Sequence, residues 1–193
     1  MREQGVDTIM NLAIRCLSAI NLVQLGAFRW GAMFLVLAVA AIVSAGVFFR
    51  YVLNDSLSWS EELAKYAMLW LVFLGAPIAL RLGVHPNIEI VISRFPSRVT
   101  RLILAVMHLA VCVFCGFLAM KSHDFAWNGR TQVAISVGDV SMYWFFVSIP
   151  LGMASMALVS LQQFLEDVSF LIGGKPVQQD AFVTKHRPVL DEF

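Results

Sequence analysis

The sequence predicts an all-α membrane protein of four transmembrane helices, and three observations carry that reading. Of the 193 residues, 59% are hydrophobic and only 14% charged, with a mean hydropathy of +0.76; a soluble domain carries nearer a quarter charged residues. So small a body cannot hide that much apolar surface, and its solvent must therefore be lipid. The apolar residues fall in four runs, at about 30–49, 63–80, 102–120 and 143–164, each near the ~20 residues a helix needs to cross a ~30 Å hydrocarbon core. The charges are segregated between these runs, and a backbone in lipid must satisfy its own hydrogen bonds, as a helix does. A net charge of +1 gives no footprint for nucleic acid. The chain divides into an amphipathic segment (1–29), a four-helix membrane bundle (30–165) and a polar tail (166–193).

In the first segment Ile9, Leu12, Ala13, Cys16, Ile20, Val23 and Ala27 recur at helical steps, with Asn11 and Arg15 off the stripe. That pattern predicts an interfacial N-terminal helix. No apolar core with a small-residue cleavage site precedes residue 29, so no cleavable signal peptide is expected. The first span is anchored by Arg29 and Trp30 at one end and by Arg50 and Tyr51 at the other, as snorkelling cations and interfacial aromatics do. Ala38, Ala41, Ala45 and Gly46 give it a small-residue face for close helix approach.

Ser58 and Glu61 have the S-x-x-E spacing of a capping box at the start of the second span. Glu61 and Glu62 fall in the first turn, where the helix dipole favours anions, and Glu61 is four residues from Lys65. Pro77 removes one backbone bond. The next loop, Arg81 to Arg101, holds His85, Pro86, Glu89 and Pro96, with an apolar alternation at Ile88, Ile90 and Ile92. The third span contains His108, Lys121 to Ser141 reads as a polar loop, and the fourth span carries Pro150 and Gly152 with Gln162 and Gln163 at its exit. From Gly173 the chain is too polar to pack.

Four spans put both ends on one side. The N-terminal segment, the loop between spans two and three, and the tail carry ten Lys and Arg, against three in the other two loops. The positive-inside rule then places both termini in the cytoplasm and the Asp55, Glu61 and Glu62 group at the opposite face.

Chemistry is sparse. Cys112-x-x-Cys115 has the redox spacing but falls midway along an apolar run, where a thiolate is costly and no soluble thiol reaches it, so small packing residues are expected. His108 and His123 would lie ~22 Å apart along one helix, and His85 sits at the other membrane edge, so no axial pair for haem and no metal cluster is expected. His108 reads as a helix–helix hydrogen-bonder. No nucleophile–base pair stands out, and no enzyme activity, cofactor or metal is expected. With no interrupted inverted repeat around a midplane site, the chain reads as an accessory subunit.

At this point the residues resemble a family: the small four-span membrane subunit of TRAP (tripartite ATP-independent periplasmic) transporters, the DctQ-like family. The resemblance rests on Arg50, Tyr51, Asn54, Trp59, Glu61 and Glu62; on Trp70-Leu71, Phe73-Leu74-Gly75, Arg81, His85 and Glu89; and on Met142-Tyr143-Trp144 and Ile149-Pro150-Leu151-Gly152. It covers about residues 30–165. Ser141 stands where the family often has proline, and Pro86 after the histidine is unusual. The resemblance implies three parts in a bacterial inner (cytoplasmic) membrane system. A periplasmic substrate-binding protein captures an organic acid, a large membrane subunit carries the sodium and substrate sites, and this small subunit scaffolds the large one and helps form the docking surface. It further implies Ala38, Ala41, Ala45, Trp70, Gly75, Trp144, Pro150 and Gly152 as candidate subunit contacts. Asn54, Ser58, Trp59, Glu61 and Glu62 are candidates for periplasmic docking or helix capping, and Arg81, His85 and Glu89 for a cytoplasmic-edge motif. The competing class is a stand-alone four-helix membrane redox, haem or thiol-oxidase protein; a homo-oligomer without a large partner is a second competitor.

Overall fold

Helices carry the chain. The computed structural model describes residues 2–83, 97–134, 137–138 and 140–173. In order these form α1 (Arg2–Tyr51), α2 (Ser58–Leu82), α3 (Ser97–Asn128), a 3-10 turn (Gly129–Thr131), strands β1 (Val133–Ala134) and β2 (Val140–Ser141), a short helix α4 (Tyr143–Phe146) and α5 (Ser148–Gly173). Four stretches are long and apolar enough to cross a membrane: Leu12–Tyr51, Ser58–Leu82, Arg98–Thr131 and Tyr143–Ile172. The four expected spans are therefore present, and the protein is a multi-pass membrane protein.

The boundaries differ from the expectation in an instructive way. Residues 2–29 and the first span form one uninterrupted helix of 50 residues, so the helix has no break where the sequence pattern changes at Arg29. Its apolar stripe faces outward. Leu12, Ile20 and Val23, on the apolar stripe, are exposed, and Val23 reaches 73%, whereas Ile14, Asn21 and Leu25 are buried. A helix in water turns its apolar stripe inward; a helix surrounded by lipid gains nothing that way and turns its polar side chains toward partners. At the other end α5 continues past residue 164 to Gly173, because Glu166 and Asp167 find partners inside the protein. Helix α3 runs on through Lys121 to Asn128, and the expected polar loop that follows contains a small antiparallel hairpin, with Val133 opposite Ser141 and Ala134 opposite Val140. Its turn includes Gly138 at a φ of 84°, a conformation that suits glycine. His85, Pro86, Glu89, the alternating isoleucines and the tail beyond Gly173 lie outside the described residues.

The chain forms two compact units, one of residues 1–26, 77–116 and 155–193, the other of 27–76 and 117–154. In the first, Leu25 and Val159 form a small apolar core with Ile78, Leu80 and Leu82 against it, and much of what is buried is polar: Asn21, Arg81, Ser155, Ser160, Gln162 and Asp167. In the second, small residues bring helices together. A Cβ on Gly152 would lie 2.6 Å from the Phe73 carbonyl oxygen and 2.7 Å from its Cβ. That carbonyl has lost its usual donor four residues on, because the residue there is Pro77, and the close glycine lets a Cα–H face it. A Cβ on Gly46 would likewise meet Ser60 Oγ at 2.8 Å.

Two glycines named together by the sequence pattern thus separate. Around Gly75 nothing lies within 4 Å of an added Cβ. Thermal unfolding in detergent is expected to show Gly152→Ala destabilised by about 1–3 kcal/mol through overpacking, and Gly75→Ala unchanged or stabilised by up to about 1 kcal/mol from helix propensity.

Candidate functional site

The first unit is joined by polar side chains from four helices. Gln162 and Glu166 are one turn apart on α5, and Gln162 Nε2 donates to Glu166 Oε1 at 2.7 Å. Asn21 on α1 donates through Nδ2 to Gln162 Oε1 at 2.7 Å and lies 3.4 Å from the Leu158 carbonyl. Arg81, in the last turn of α2, reaches the same carboxylate with both arms of its guanidinium, Nη2 to Oε1 at 3.0 Å and Nη1 to Oε2 at 3.3 Å. This forked geometry is the strongest form of the Arg–carboxylate contact. The Arg81 side chain is 5% exposed and that of Glu166 22%. Gln163 Nε2 donates at 3.2 Å to the Leu80 carbonyl near the end of α2, which also accepts from the Gly83 amide at 3.3 Å. Gln24 on α1 donates to Ser155 Oγ.

A second centre lies one residue on. Asp167 is buried, with 3% of its side chain exposed, and it takes Arg101 Nη1 at 2.9 Å and His108 Nδ1 at 2.8 Å, both from α3. The Arg101 guanidinium also sits 4.9 Å from the Phe170 ring centroid. His108 is therefore a helix–helix hydrogen-bonder in this structure. Cys112 and Cys115 are free thiols, half-buried and buried respectively. Among the described residues no group of three or more His, Cys, Asp or Glu is placed to hold a metal ion.

Arg81, expected in an edge motif with His85 and Glu89, is buried in the last turn of α2 and paired with Glu166. Glu166 and Asp167, which the sequence reading assigned to the polar tail, are the hubs of the unit. A signal for them exists: Ser148, Gly152, Ser155, Val159, Gln162 and Glu166 follow alternating steps of four and three residues, the period of a buried helix seam. That seam is small and polar, so a search for apolar periodicity passes over it.

The second unit holds the other candidates. Arg50 forms an ion pair with Glu61 across the α1–α2 connection, both half-exposed or more. Glu61 is thus taken by Arg50 and does not return to Ser58 as a capping box would; α2 starts at Ser58, and the Ser60 hydroxyl donates to the Leu57 carbonyl at 2.8 Å. Asn54 has a φ of 56°, the left-handed turn conformation asparagine tolerates better than most residues, and the next amide, Asp55, donates to the Phe49 carbonyl at 3.2 Å. Trp59 stays partly exposed. Glu62 accepts from the Tyr66 hydroxyl at 2.9 Å, and the Tyr66 ring stacks on Phe145 at 3.9 Å. Trp70 donates through Nε1 to the Trp144 carbonyl at 3.3 Å, while the Trp144 indole is 64% exposed. Ala38, Ala45, Gly75 and Pro150 are half-buried, Ala41 is exposed and Gly152 is buried.

Residues 39–170 match the family model for tripartite ATP-independent periplasmic transporters, DctQ component. This chain belongs to that family. It is similar to the sialic acid TRAP transporter small permease protein SiaQ of Vibrio cholerae, 26% identical over 139 residues, which are 72% of this chain and 80% of that protein. It is also similar to the sialic acid TRAP transporter permease protein SiaT of Haemophilus influenzae, 26% identical over 138 residues, 72% of this chain but 22% of that protein. A third relative is the C4-dicarboxylate TRAP transporter small permease protein DctQ of Vibrio cholerae, 28% identical over 102 residues, 53% of this chain and 40% of that one. Within this DctQ-family chain the matched region contains Arg81, Arg101, His108, Gln162, Glu166 and Asp167, and leaves out Asn21 and Gln24.

The Arg81–Glu166 pair gives a clear expectation. Arg81→Leu or Glu166→Leu alone strands a charge among buried groups and is expected to cost about 3 kcal/mol, at the low end of the buried-pair range because Glu166 keeps some solvent access. The double replacement is expected to cost clearly less than the two singles together, as equilibrium unfolding in detergent reads directly.

Proposed function

We propose that this chain is the small membrane subunit of a TRAP-type secondary transporter. It scaffolds a large sodium- and substrate-binding membrane subunit and helps dock a periplasmic substrate-binding protein, for uptake of an organic acid driven by the sodium gradient. The observation that carries this reading is the match of residues 39–170 to the DctQ component of tripartite ATP-independent periplasmic transporters. In the relative from Haemophilus influenzae a similar stretch lies within a larger permease polypeptide, which supports a larger membrane partner. The side chains inside the first unit favour an accessory role: Arg81 with Glu166, and Arg101 and His108 with Asp167, are engaged with one another, which rigidifies the helices and leaves those groups unsuited to an ion path. The named relatives serve transporters of sialic acid and of C4-dicarboxylates, and both are carboxylates.

In this proposal the membrane is the bacterial inner membrane and both termini are cytoplasmic, from the distribution of Lys and Arg. The α1–α2 connection with Asn54, Ser58, Trp59, Glu61 and Glu62 then faces the periplasm, and Arg81, His85 and Glu89 belong to the cytoplasmic side. Of the small and aromatic residues proposed for subunit contact, Ala41 and Trp144 are the ones the fold leaves exposed, with Ala38, Ala45, Trp70, Gly75 and Pro150 half-buried beside them. Gly152 is already used against Phe73.

Affinity purification of this chain from native membranes in mild detergent is expected to recover a larger multi-span membrane protein in stoichiometric amount. Recovery of the chain alone in several detergents contradicts the scaffold reading. In the assembled complex, Glu61→Gln with Glu62→Gln is expected to leave assembly intact and to lower uptake at limiting binding protein; unchanged uptake leaves both residues with local roles only.

A further inference from the structure

We propose that Arg130 is a binding site for the phosphate group of a membrane phospholipid. Its guanidinium lies 3.2 Å from the centroid of the Trp127 ring and 5.0 Å from that of Tyr143. The two rings meet edge to face with centroids 6.5 Å apart. A guanidinium held against ring faces keeps its planar N–H fork available at the rim, and that fork matches the oxygens of a phosphate. No ion-pair partner for Arg130 is found among the described residues, whereas Arg50, Arg81 and Arg101 each have one.

The backbone beneath it is fixed. Arg130 lies in the 3-10 turn Gly129–Thr131, closed by the Gln132 amide donating to the Gly129 carbonyl at 3.2 Å. The Arg130 carbonyl accepts from the Ser141 hydroxyl at 3.3 Å, and the Met142 amide donates to the Gln132 carbonyl at 2.9 Å. Gly129 is buried under Phe146, whose ring carbon would lie 2.9 Å from an added Cβ. The cation is thus held in place before any ligand arrives, so little ordering entropy is lost on binding.

The surroundings select a lipid over an acidic protein surface. Phe125, Trp127 and Val133 are exposed on the elements that carry the site, Phe125 at 54% and Trp127 at 50%. Exposed tryptophan and tyrosine at the end of an apolar span sit at headgroup depth, where a phosphate meets the guanidinium while the acyl chains lie along the apolar faces. This inference does not depend on the large partner subunit and stands or falls separately from it.

Native mass spectrometry of the full chain in detergent doped with phosphatidylglycerol tests it, with diacylglycerol of the same chains as the phosphate-free probe. The wild type is expected to retain phosphatidylglycerol in preference to diacylglycerol. Arg130→Gln is expected to lower phosphatidylglycerol retention about tenfold without changing that of diacylglycerol, and Arg130→Lys to fall between, since lysine keeps the charge and loses the fork. Trp127→Phe keeps a ring face and is expected to retain the lipid, whereas Trp127→Ala is expected to lose it, so a general folding defect is told apart from loss of the site. Equal retention of phosphatidylglycerol by wild type and Arg130→Gln overturns the proposal. So does inorganic phosphate binding as tightly as the lipid, which would make this a free-anion site.

Discussion

Lipid removes two supports that a soluble protein relies on: water to satisfy stray polar groups, and a hydrophobic penalty for leaving apolar faces outside. In the first unit the Glu166 carboxylate answers both. It accepts from Arg81 on α2 and from Gln162 beside it, and Gln162 accepts from Asn21 on α1, so one side chain ties three helices without any large apolar core. The neighbouring Asp167 adds α3 through Arg101 and His108. Because these contacts need defined distances and directions, they specify helix register in a way that apolar side chains surrounded by acyl chains do not. The energy they contribute is smaller than their number suggests, since desolvation offsets much of the Coulomb attraction. Specificity is the larger gain.

The second unit solves the same problem with size. Gly152 against Phe73, Gly46 against Ser60 and Gly129 against Phe146 let backbones or rings approach closer than any Cβ permits, and dispersion replaces the missing hydrophobic push. Aromatic pairs then close the ends, with Tyr66 on Phe145 and Trp70 bonded to the Trp144 carbonyl. Small residues inside and bulky ones outside is the reverse of a soluble core, and the exposed Phe34, Leu37 and Val72 follow from it.

The number and locations of the four spans were legible because hydrocarbon thickness sets how long an apolar run must be, although the helices run past those limits. The family was legible too, from side chains clustered around span ends, and its matched region of 39–170 lies close to the expected 30–165. The inward faces were not. The apolar stripe of α1 shows which side chains suit lipid and nothing of the side on which Asn21 is buried against Gln162. Glu166 and Asp167 fall past the apolar run 143–164, and only the distant Arg81, Arg101 and His108, up to 85 residues away in sequence, make them internal. The cap expected from Ser58 and Glu61 failed for a similar reason, since Arg50 on another helix competes for the same carboxylate. Local spacing shows what a residue can do with its neighbours, and long-range partners decide what it does.

In this fold the outer faces meet lipid while the small and polar residues meet protein. Spin labels on the isolated chain in lipid nanodiscs measure this most directly, through collision with lipid-soluble oxygen and with a water-soluble nickel chelate. Labels at Phe34, Val72 and Val113 are predicted to collide strongly with oxygen and weakly with nickel, and labels at Ala105 and Ser155 weakly with both. Strong oxygen collisions at Ala105 and Ser155, with Val72 and Val113 shielded, would mean that the helices are turned the other way and would contradict the account.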